Sequence, residues 1–389
     1  MINISEEKQC CGCKACEVIC PRECIKMEKG TLGFYYPKIE INDCVDCGLC
    51  EKVCPIQNVD IKDSIEYYAG YAENSDTRLR GSSGGIFGSI AKYVIKNQGV
   101  VIGSGFDDKL KLKTFIVDDE EHLELLYKSK YIQTDTNNVY TKIKKCLLEN
   151  ENKFVLYCST PCNIQALKNY LKKEYKNLIL IDFVCHGVGS QQLFDQNIHW
   201  WKEKGYSLKK YDFRCKEHEI NCSRVFELET DKENIKDIYL NDPYYYYYLD
   251  YISFRESCYS CPFATEKRCS DITIGDYHQP ESLFPNENRL KGFSSIICNT
   301  VKGQNVLENI HIITKTIDKK LIINMNAALN APTHSKKHSQ FIKDYESNNF
   351  DILLKKYGFY SKKTKIMRIY YKLPLSIQKI IRKFLIKEE

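Results

Sequence analysis

The feature that most constrains this chain is a cysteine quartet that occurs twice within the first sixty residues. Cys10, Cys13, Cys16 and Cys20 follow C-x-x-C-x-x-C-x-x-x-C with Pro21 behind them, and Cys44, Cys47, Cys50 and Cys54 repeat the spacing with Pro55. In such a run three close thiolates wrap one iron–sulfur cubane and the fourth ligates the other cluster. The expected ligands are Cys10, Cys13, Cys16 and Cys54 for one 4Fe–4S cluster, and Cys44, Cys47, Cys50 and Cys20 for a second. Two intervening residues let consecutive thiolates reach different irons of one small core. The proline turns the chain away and removes a backbone donor. Zinc also takes C-x-x-C pairs, but rarely needs four cysteines plus proline in duplicate. Cys11 and Cys24 fall outside the pattern and are expected to be non-ligands beside the clusters, with a register shift through Cys11 as the alternative. Between the runs, IKMEKGTLGFYYPKIEIND alternates apolar and polar residues around glycines and predicts a hairpin.

Ten of the 20 cysteines lie in residues 10–54, which marks residues 1–60 as a domain of their own. No stretch approaches the roughly 18 apolar residues of a membrane span, and MINISEEKQC lacks the apolar region of a secretory signal. The expected location is the reducing cytoplasm, where the cysteines serve as ligands, catalysts or core filler and not as disulfides. At 389 residues, 43% apolar and 28% charged, the chain is long enough for two or three packed domains and excludes wholesale disorder. The net charge of +6 comes from the end of the chain: residues 352–389 hold eleven basic and two acidic side chains, a local +9, and leave about −3 for the rest. That distribution argues against a nucleic-acid-binding body. Residues 1–60 carry seven basic and ten acidic side chains, a negative face suited to a basic redox partner.

Three further segments carry chemistry. After RGSSGG, the residues Ile86, Phe87, Ile90, Ala91, Val94 and Ile95 have helical spacing, Gly99 is expected at the C′ position, and VVIGSGF reads as a buried strand. Ser82, Ser83, Gly84 and Gly85 thus open a helix, where free N–H groups and the dipole favour a phosphate; a Ser/Gly turn without ligand has the same pattern. KFVLY (153–157) and NLILIDFVC read as parallel strands joined by a helix over about Asn163–Leu171. Cys162 and Cys185 then lie past the C-terminal ends of neighbouring strands, where parallel sheets place their chemistry. With Cys258 and Cys261 they form four cysteines from three segments, a set for a third 4Fe–4S cluster, for zinc, or for an unligated core. Cys158, Cys215, Cys222 and Cys269 compete for those roles, and Cys146 and Cys298 read as filler.

RGSSGGIFGSIAKYVIKNQGVVIG, SKYIQTD (129–135), STPCNIQALK (159–168), DFVCHGVGS (182–190) and SCYSCPFA…SDITIGDYH (257–278) together resemble the coenzyme F-420 hydrogenase/dehydrogenase beta subunit family. The motifs keep the family's order and cover about residues 65–300. The resemblance implies an iron–sulfur flavoprotein that binds FAD and a 4Fe–4S cluster, the latter on Cys162, Cys185, Cys258 and Cys261. It places the flavin along Ser82, Ser83, Gly84 and Gly85, along Ser129, Lys130 and Tyr131, along Thr160 and Pro161, and along Asp271, Thr273, Gly275 and Asp276. Bacterial members with a fused N-terminal ferredoxin occur in this group, as does the plant reductase of hydroxymethyl chlorophyll. Cys158 and Cys269 depart from the family's usual residues. The abundance of Lys, Asn, Ile and Tyr points to an AT-rich genome, so the deazaflavin in the family's name is not taken as the substrate.

The fold expected is α/β: a small ferredoxin-like (α+β) domain at 1–60, then an α/β flavin-binding region with a partly parallel sheet, divided into 65–150 and 151–330, and a basic helical tail at 331–389. His186, beside Cys185, is the candidate proton carrier; a structural histidine is the alternative, and His278 has a similar, weaker case. The run Asp242-Pro-Tyr-Tyr-Tyr-Tyr-Tyr reads as a helix start with packed rings or as an aromatic pocket. In the tail, Ile377, Ile380, Ile381, Phe384 and Leu385 share one helix face, which suits either peripheral membrane contact or packing on the chain's own body. The function expected is an oxidoreductase that passes electrons from a ferredoxin-type donor through the clusters to FAD and on to a small or glycan-linked substrate. The alternative is an electron-transfer subunit serving a partner hydrogenase, dehydrogenase or polysaccharide-biosynthesis enzyme.

Overall fold

A computed structural model describes residues 1–381 apart from 5, 217, 219, 221, 223, 375 and 379. Each cysteine run forms a loop and a five-residue helix, α1 (Ala15–Ile19) and α2 (Leu49–Val53). The two loops trace the same path. Gly12 (φ 71°) and Asp46 (φ 48°) occupy equivalent left-handed positions, as do the N-caps Lys14 (φ 64°) and Gly48 (φ 70°). Between them lies the expected hairpin, β1 (Ile25–Lys29) paired antiparallel with β2 (Tyr35–Ile39). One-turn helices and a two-stranded ribbon have little stability alone. Here they close on Ala15, Ile25, Val53 and the inward cysteines.

The body begins with β3 (Glu66–Ala72), α3 (Ser75–Arg80), α4 (Ile86–Lys96), β4 (Val100–Phe106) and β5 (Leu112–Val117). It continues with α5 (Val139–Glu149), β6 (Val155–Cys158), α6 (Pro161–Leu171), β7 (Leu178–Phe183) and α7 (Gln191–Glu203). A separate antiparallel sheet of β8 (Leu208–Asp212), β9 (Val225–Thr230) and β10 (Asn234–Ile238) precedes α8 (Pro243–Leu249). Then come β11 (Ile272–Asp276), β12 (Ser294–Cys298), α9 (Val301–Glu308), β13 (Ile312–Thr316) and α10 (Lys319–Met325). The main sheet has the order β13-β3-β12-β11-β7-β6-β4-β5, parallel from β11 to β4 and antiparallel at both flanks.

Strand alternation sorts the side chains into two faces. Leu156, Ile179 and Ile181 pack with α4 and with Val306 of α9, whereas Val155, Tyr157, Leu178 and Leu180 pack with α5 and α6. The N-terminal module sits on the outer side of α5 and α6, in the same apolar cluster. The β6–α6–β7 unit and α4 match the sequence expectation. Gly99 does not occupy C′: Gln98 takes the left-handed conformation (φ 58°), and Gly99 follows it, donating its N–H to Val94 O at 2.9 Å. β3–β5 before residue 150 share one sheet with β6, β7 and β11–β13 after it, so the expected division at 150/151 passes through that sheet.

An aromatic cluster fills the space beside the sheet. Tyr244, Tyr245, Tyr247 and Tyr248 are buried on α8, whose N-cap Asp242 accepts from Tyr245 N–H at 2.8 Å. The side chains of Asn197 and Trp201 complete the cap, each donating to Asp242 at 2.8 Å. Helices α11 (His338–Ser347) and α12 (Phe350–Lys356) pack on this cluster through Phe341, Leu353 and Leu354. Helix α13 (Lys362–Lys372) docks through Arg368, which donates to Leu240 O and Phe359 O. Ile366 and Ile369 point outward from it, 65% and 63% exposed. Of the expected tail face, Phe384 and Leu385 lie outside the described residues.

Candidate metal centres and the sheet edge

Cys10, Cys13, Cys16 and Cys54 line one hollow with Cys11 in its wall. Cys20, Cys44, Cys47 and Cys50 line another with Cys24 in its wall. The exchange of the fourth cysteine follows from the helices. Cys20 and Cys54 are the C-caps of α1 and α2, and packing of one helix on the other carries each thiol to the opposite loop. Backbone N–H groups point at the sulfurs: Ile2 to Cys50 at 3.2 Å, Gly12 to Cys10 at 3.4 Å and Asp46 to Cys44 at 3.4 Å. Such donors stabilise thiolate charge and tune cluster potential. Among the described residues no three His, Cys, Asp or Glu side chains converge on a point that would hold a single metal ion. Four thiols line each hollow, the donor set that a cubane takes.

Cys162 is the second residue of α6, behind N-cap Thr160 and Pro161. Cys185 follows β7, and Cys258 and Cys261 belong to a short turn that begins at Glu256. Burial and then the thiols of Cys185, Cys261 and Cys162 push the Cys258 thiol up, so the four cysteines share one neighbourhood. Thr160 Oγ1 lies 3.2 Å from Cys162 Sγ. Cys269 is turned away and donates to Pro161 O at 3.4 Å. Cys298 is buried in β12 and donates to Thr300 O. Cys215 and Cys222 belong to a different apolar cluster. The Cys11 thiol perturbs and is perturbed by both Cys13 and Cys162, so it lies close to a member of the first and of the third cysteine set.

The body grips the first cysteine loop by its carbonyls. Arg255 Nε donates to Cys10 O at 2.7 Å, Gln133 to Cys11 O at 2.9 Å, and Thr136 and Tyr140 to Cys13 O at 3.1 and 2.9 Å. Asn169 of α6 donates to Asn58 O at 3.0 Å at the exit of the second run. Sequence reading missed these contacts: Gln133 lies within SKYIQTD, but nothing in that pattern reports a partner more than 100 residues away. The one available signal was Arg255 three positions before Cys258.

The residues expected along a flavin divide into two groups. Ser82, Ser83, Ser129, Lys130, Gly275 and Asp276 come together at the C-terminal edge of the sheet. Ser82 Oγ accepts from Ser129 N–H at 2.6 Å; Ser83 Oγ donates to Phe293 O at 2.5 Å and lies 3.2 Å from Gly275 O. Burial alone would push Asp276 up, but Arg214 at 2.5 Å holds it below the usual carboxylate range. Lys130 Nζ donates to Leu125 O and Tyr127 O, and Lys216 Nζ to the carbonyls of Arg78, Ser83 and Lys291. Burial pushes each ammonium down to about 7. Gly84 and Gly85 are required by packing: a Cβ on Gly84 would meet Gly70 O and Ser294, and one on Gly85 (φ 83°) would meet the Arg78 backbone. Tyr131 lies next door in the aromatic cluster, stacked on Tyr248 at 4.5 Å.

Asp271 and Thr273 are not in this group. Asp271 lies at the N-terminal end of β11, where it accepts from Leu180 N–H at 2.8 Å and Thr300 Oγ1 at 2.7 Å and pairs with Lys302 at 3.1 Å. Thr273 is fully buried and accepts from Arg268 Nε at 3.1 Å and Asn299 Nδ2 at 3.0 Å. Both hold the sheet. His186 stands on the edge beside Cys185, stacked on Tyr251 at 6.4 Å, and desolvation lowers its pKa.

Residues 152–320 match the family model for the C terminus of the coenzyme F420 hydrogenase/dehydrogenase beta subunit, and residues 9–58 match the 4Fe-4S dicluster domain. The chain thus carries the C-terminal region of that beta subunit family, preceded by a 4Fe-4S dicluster domain. With the dicluster domain in front of that region, it is an iron–sulfur electron-transfer protein. No curated protein matches the chain. Among solved structures it is similar to a chain of the F420-reducing [NiFe] hydrogenase complex from Methanosarcina barkeri, studied by xenon derivatization. Identity is 12%, the match covers 76% of this chain and 96% of that one, and the TM-score is 0.47. Among the described residues, no helix is long and apolar enough to cross a membrane.

Proposed function

We propose that the chain is an FAD-dependent iron–sulfur oxidoreductase that draws electrons from a ferredoxin-type donor in the cytoplasm and reduces a small or glycan-linked substrate. The observation that carries this reading is the grouping of three thiol sets, with Cys11 close to members of the first and third, beside a sheet edge with two half-buried ammonium groups. Bound clusters supply single-electron transfer, and bound FAD converts it to two-electron hydride chemistry.

The chain's own residues account for binding. Cys10, Cys13, Cys16 and Cys54, then Cys20, Cys44, Cys47 and Cys50, then Cys162, Cys185, Cys258 and Cys261 would hold the clusters. Lys130 and Lys216, each hydrogen-bonded to backbone carbonyls, suit a diphosphate as counter-charge. Ser82, Ser83 and Ser129 add hydroxyls, and ionised Asp276 adds an acceptor. His186 is neutral at pH 7 and stands at the edge, which suits holding a proton for the substrate. Acid extraction of anaerobically purified protein is expected to release flavin. Lys216→Met should weaken flavin retention roughly 10–100-fold, the loss of one partly solvated counter-charge worth about 1–4 kcal/mol, with iron unchanged. Retention should also fall as pH rises through about 7, because the lysines lose the charge that an anion requires. Extracts free of flavin would remove the FAD half of the reading and favour an electron-transfer subunit for a partner enzyme.

The tail belongs to this reading as a contact with anionic lipid. Helix α13 presents Ile366 and Ile369 outward, beside Lys362, Lys363 and Lys365, a combination of apolar and basic groups that suits an anionic bilayer surface. The full chain should float with vesicles containing phosphatidylserine and not with phosphatidylcholine alone. Ile366→Glu with Ile369→Glu should cut that binding at least tenfold; undiminished flotation would refute the contact.

A further inference from the structure

We infer that Arg255 is a positioning residue that sets the reduction potential of the first cluster and clamps its loop to the third cysteine set, an inference that rests on the cluster reading above.

Arg255 is 0% exposed, yet none of its hydrogen-bond acceptors is a carboxylate. Its guanidinium spends its donors on the cysteine loop and its surroundings: Nε on Cys10 O at 2.7 Å, one terminal nitrogen on Gln133 Oε1 at 3.0 Å, and the other on Cys10 Sγ at 3.4 Å and Tyr35 O at 2.8 Å. The plane lies over the Tyr36 ring, 4.2 Å from its centroid. A buried charge is costly unless something compensates it. The compensation visible here is a thiol sulfur, a group that becomes a thiolate when it ligates metal.

Space has been kept for this approach. Gly12, between Cys11 and Cys13, is left-handed at φ 71°, and a Cβ there would collide with Gln133 and the Arg255 guanidinium. Arg255 also accepts the N–H of Cys258 on its own carbonyl at 2.9 Å. One residue therefore touches a ligand of the first set by its side chain and a ligand of the third by its backbone.

A fixed positive charge beside a ligand sulfur favours the cluster state that carries one more electron. Removing that charge should make reduction harder. The test is an EPR-monitored redox titration of the full chain, purified anaerobically, as wild type, Arg255→Gln and Arg255→Lys. Arg255→Gln should move one midpoint of the N-terminal module at least tenfold in its one-electron equilibrium, about 59 mV towards negative potential. The other midpoint should stay in place, and Arg255→Lys should recover more than half of the shift. Unchanged midpoints in Arg255→Gln with all iron retained would overturn the inference, as would equal shifts in both variants. If Arg255→Gln fails to hold the first cluster, Gln133→Glu decides. It sets an anion against the same guanidinium and should shift the same midpoint negative, whereas no shift would overturn the inference. Wild-type protein without iron would instead sink the cluster reading itself.

Discussion

Replacing Cys16 by serine is expected to remove four irons and to cost most of residues 10–54 their fold. The two helices of the module have five residues each and the hairpin strands five, so none persists alone. Its apolar interior is small, and cysteines make up much of it: Cys13, Cys16, Cys24, Cys50 and Cys54 are buried with Ala15, Ile25 and Val53. A module of this size draws on the order of 10 kcal/mol of its folding free energy from metal binding. Hydrogen exchange should show protection of residues 10–54 falling by several orders of magnitude in Cys16→Ser or in chelated protein, while the strands of the main sheet keep theirs. Retained protection in iron-free protein would show that packing against α5 and α6 suffices without metal.

The second large effect lies under the sheet edge. Arg268 and Asp182 form an ion pair at 2.9 Å with side chains 1% and 0% exposed. Arg268 also donates to Thr273, Phe263 O and Thr265 O, tying the loop after Cys261 to β11. Arg268→Met should destabilise the chain by about 3–5 kcal/mol, the usual cost of leaving one buried partner uncompensated. Burial raises the Asp182 pKa, and the nearby guanidinium lowers it only in part. Without Arg268 that pKa rises further. A folded-state pKa above the unfolded one contributes stability at low pH that is lost as pH rises through it. The penalty of Arg268→Met should therefore be larger at pH 8 than at pH 5 in denaturant melts. Asp182→Leu added to Arg268→Met should recover much of the loss. A penalty independent of pH would mean that the lost carbonyl contacts, and not the carboxylate, carry the cost.

Much of the architecture was legible because its signals are local. The cysteine spacing gives the paired loops, and apolar runs at strand and helix length give β6, α6 and β7. The Asp242-Pro start gives α8 with its rings packed inward. What was not legible is non-local. β3 joins the sheet between β12 and β13, more than 200 residues away, and no pattern in EYYAGYA reports that partner. The motif around SDITIGD looked like one site element. Its ends face different ends of β11, so Asp271 and Thr273 serve the sheet and only Gly275 and Asp276 reach the edge. The glycines of RGSSGG suggested room for phosphate. The fold fills that room with backbone and supplies cations from Lys130 and Lys216 instead, and Lys216 lies outside every motif.

Whether twelve cysteines in three sets hold cubanes is tested most directly by iron and acid-labile sulfide content. The protein should be made with cluster-assembly machinery and purified without oxygen. Three clusters of four irons predict about twelve irons and as many sulfides per chain. About eight of each would confine the clusters to the N-terminal module, and zinc in place of iron would contradict the cluster assignment altogether.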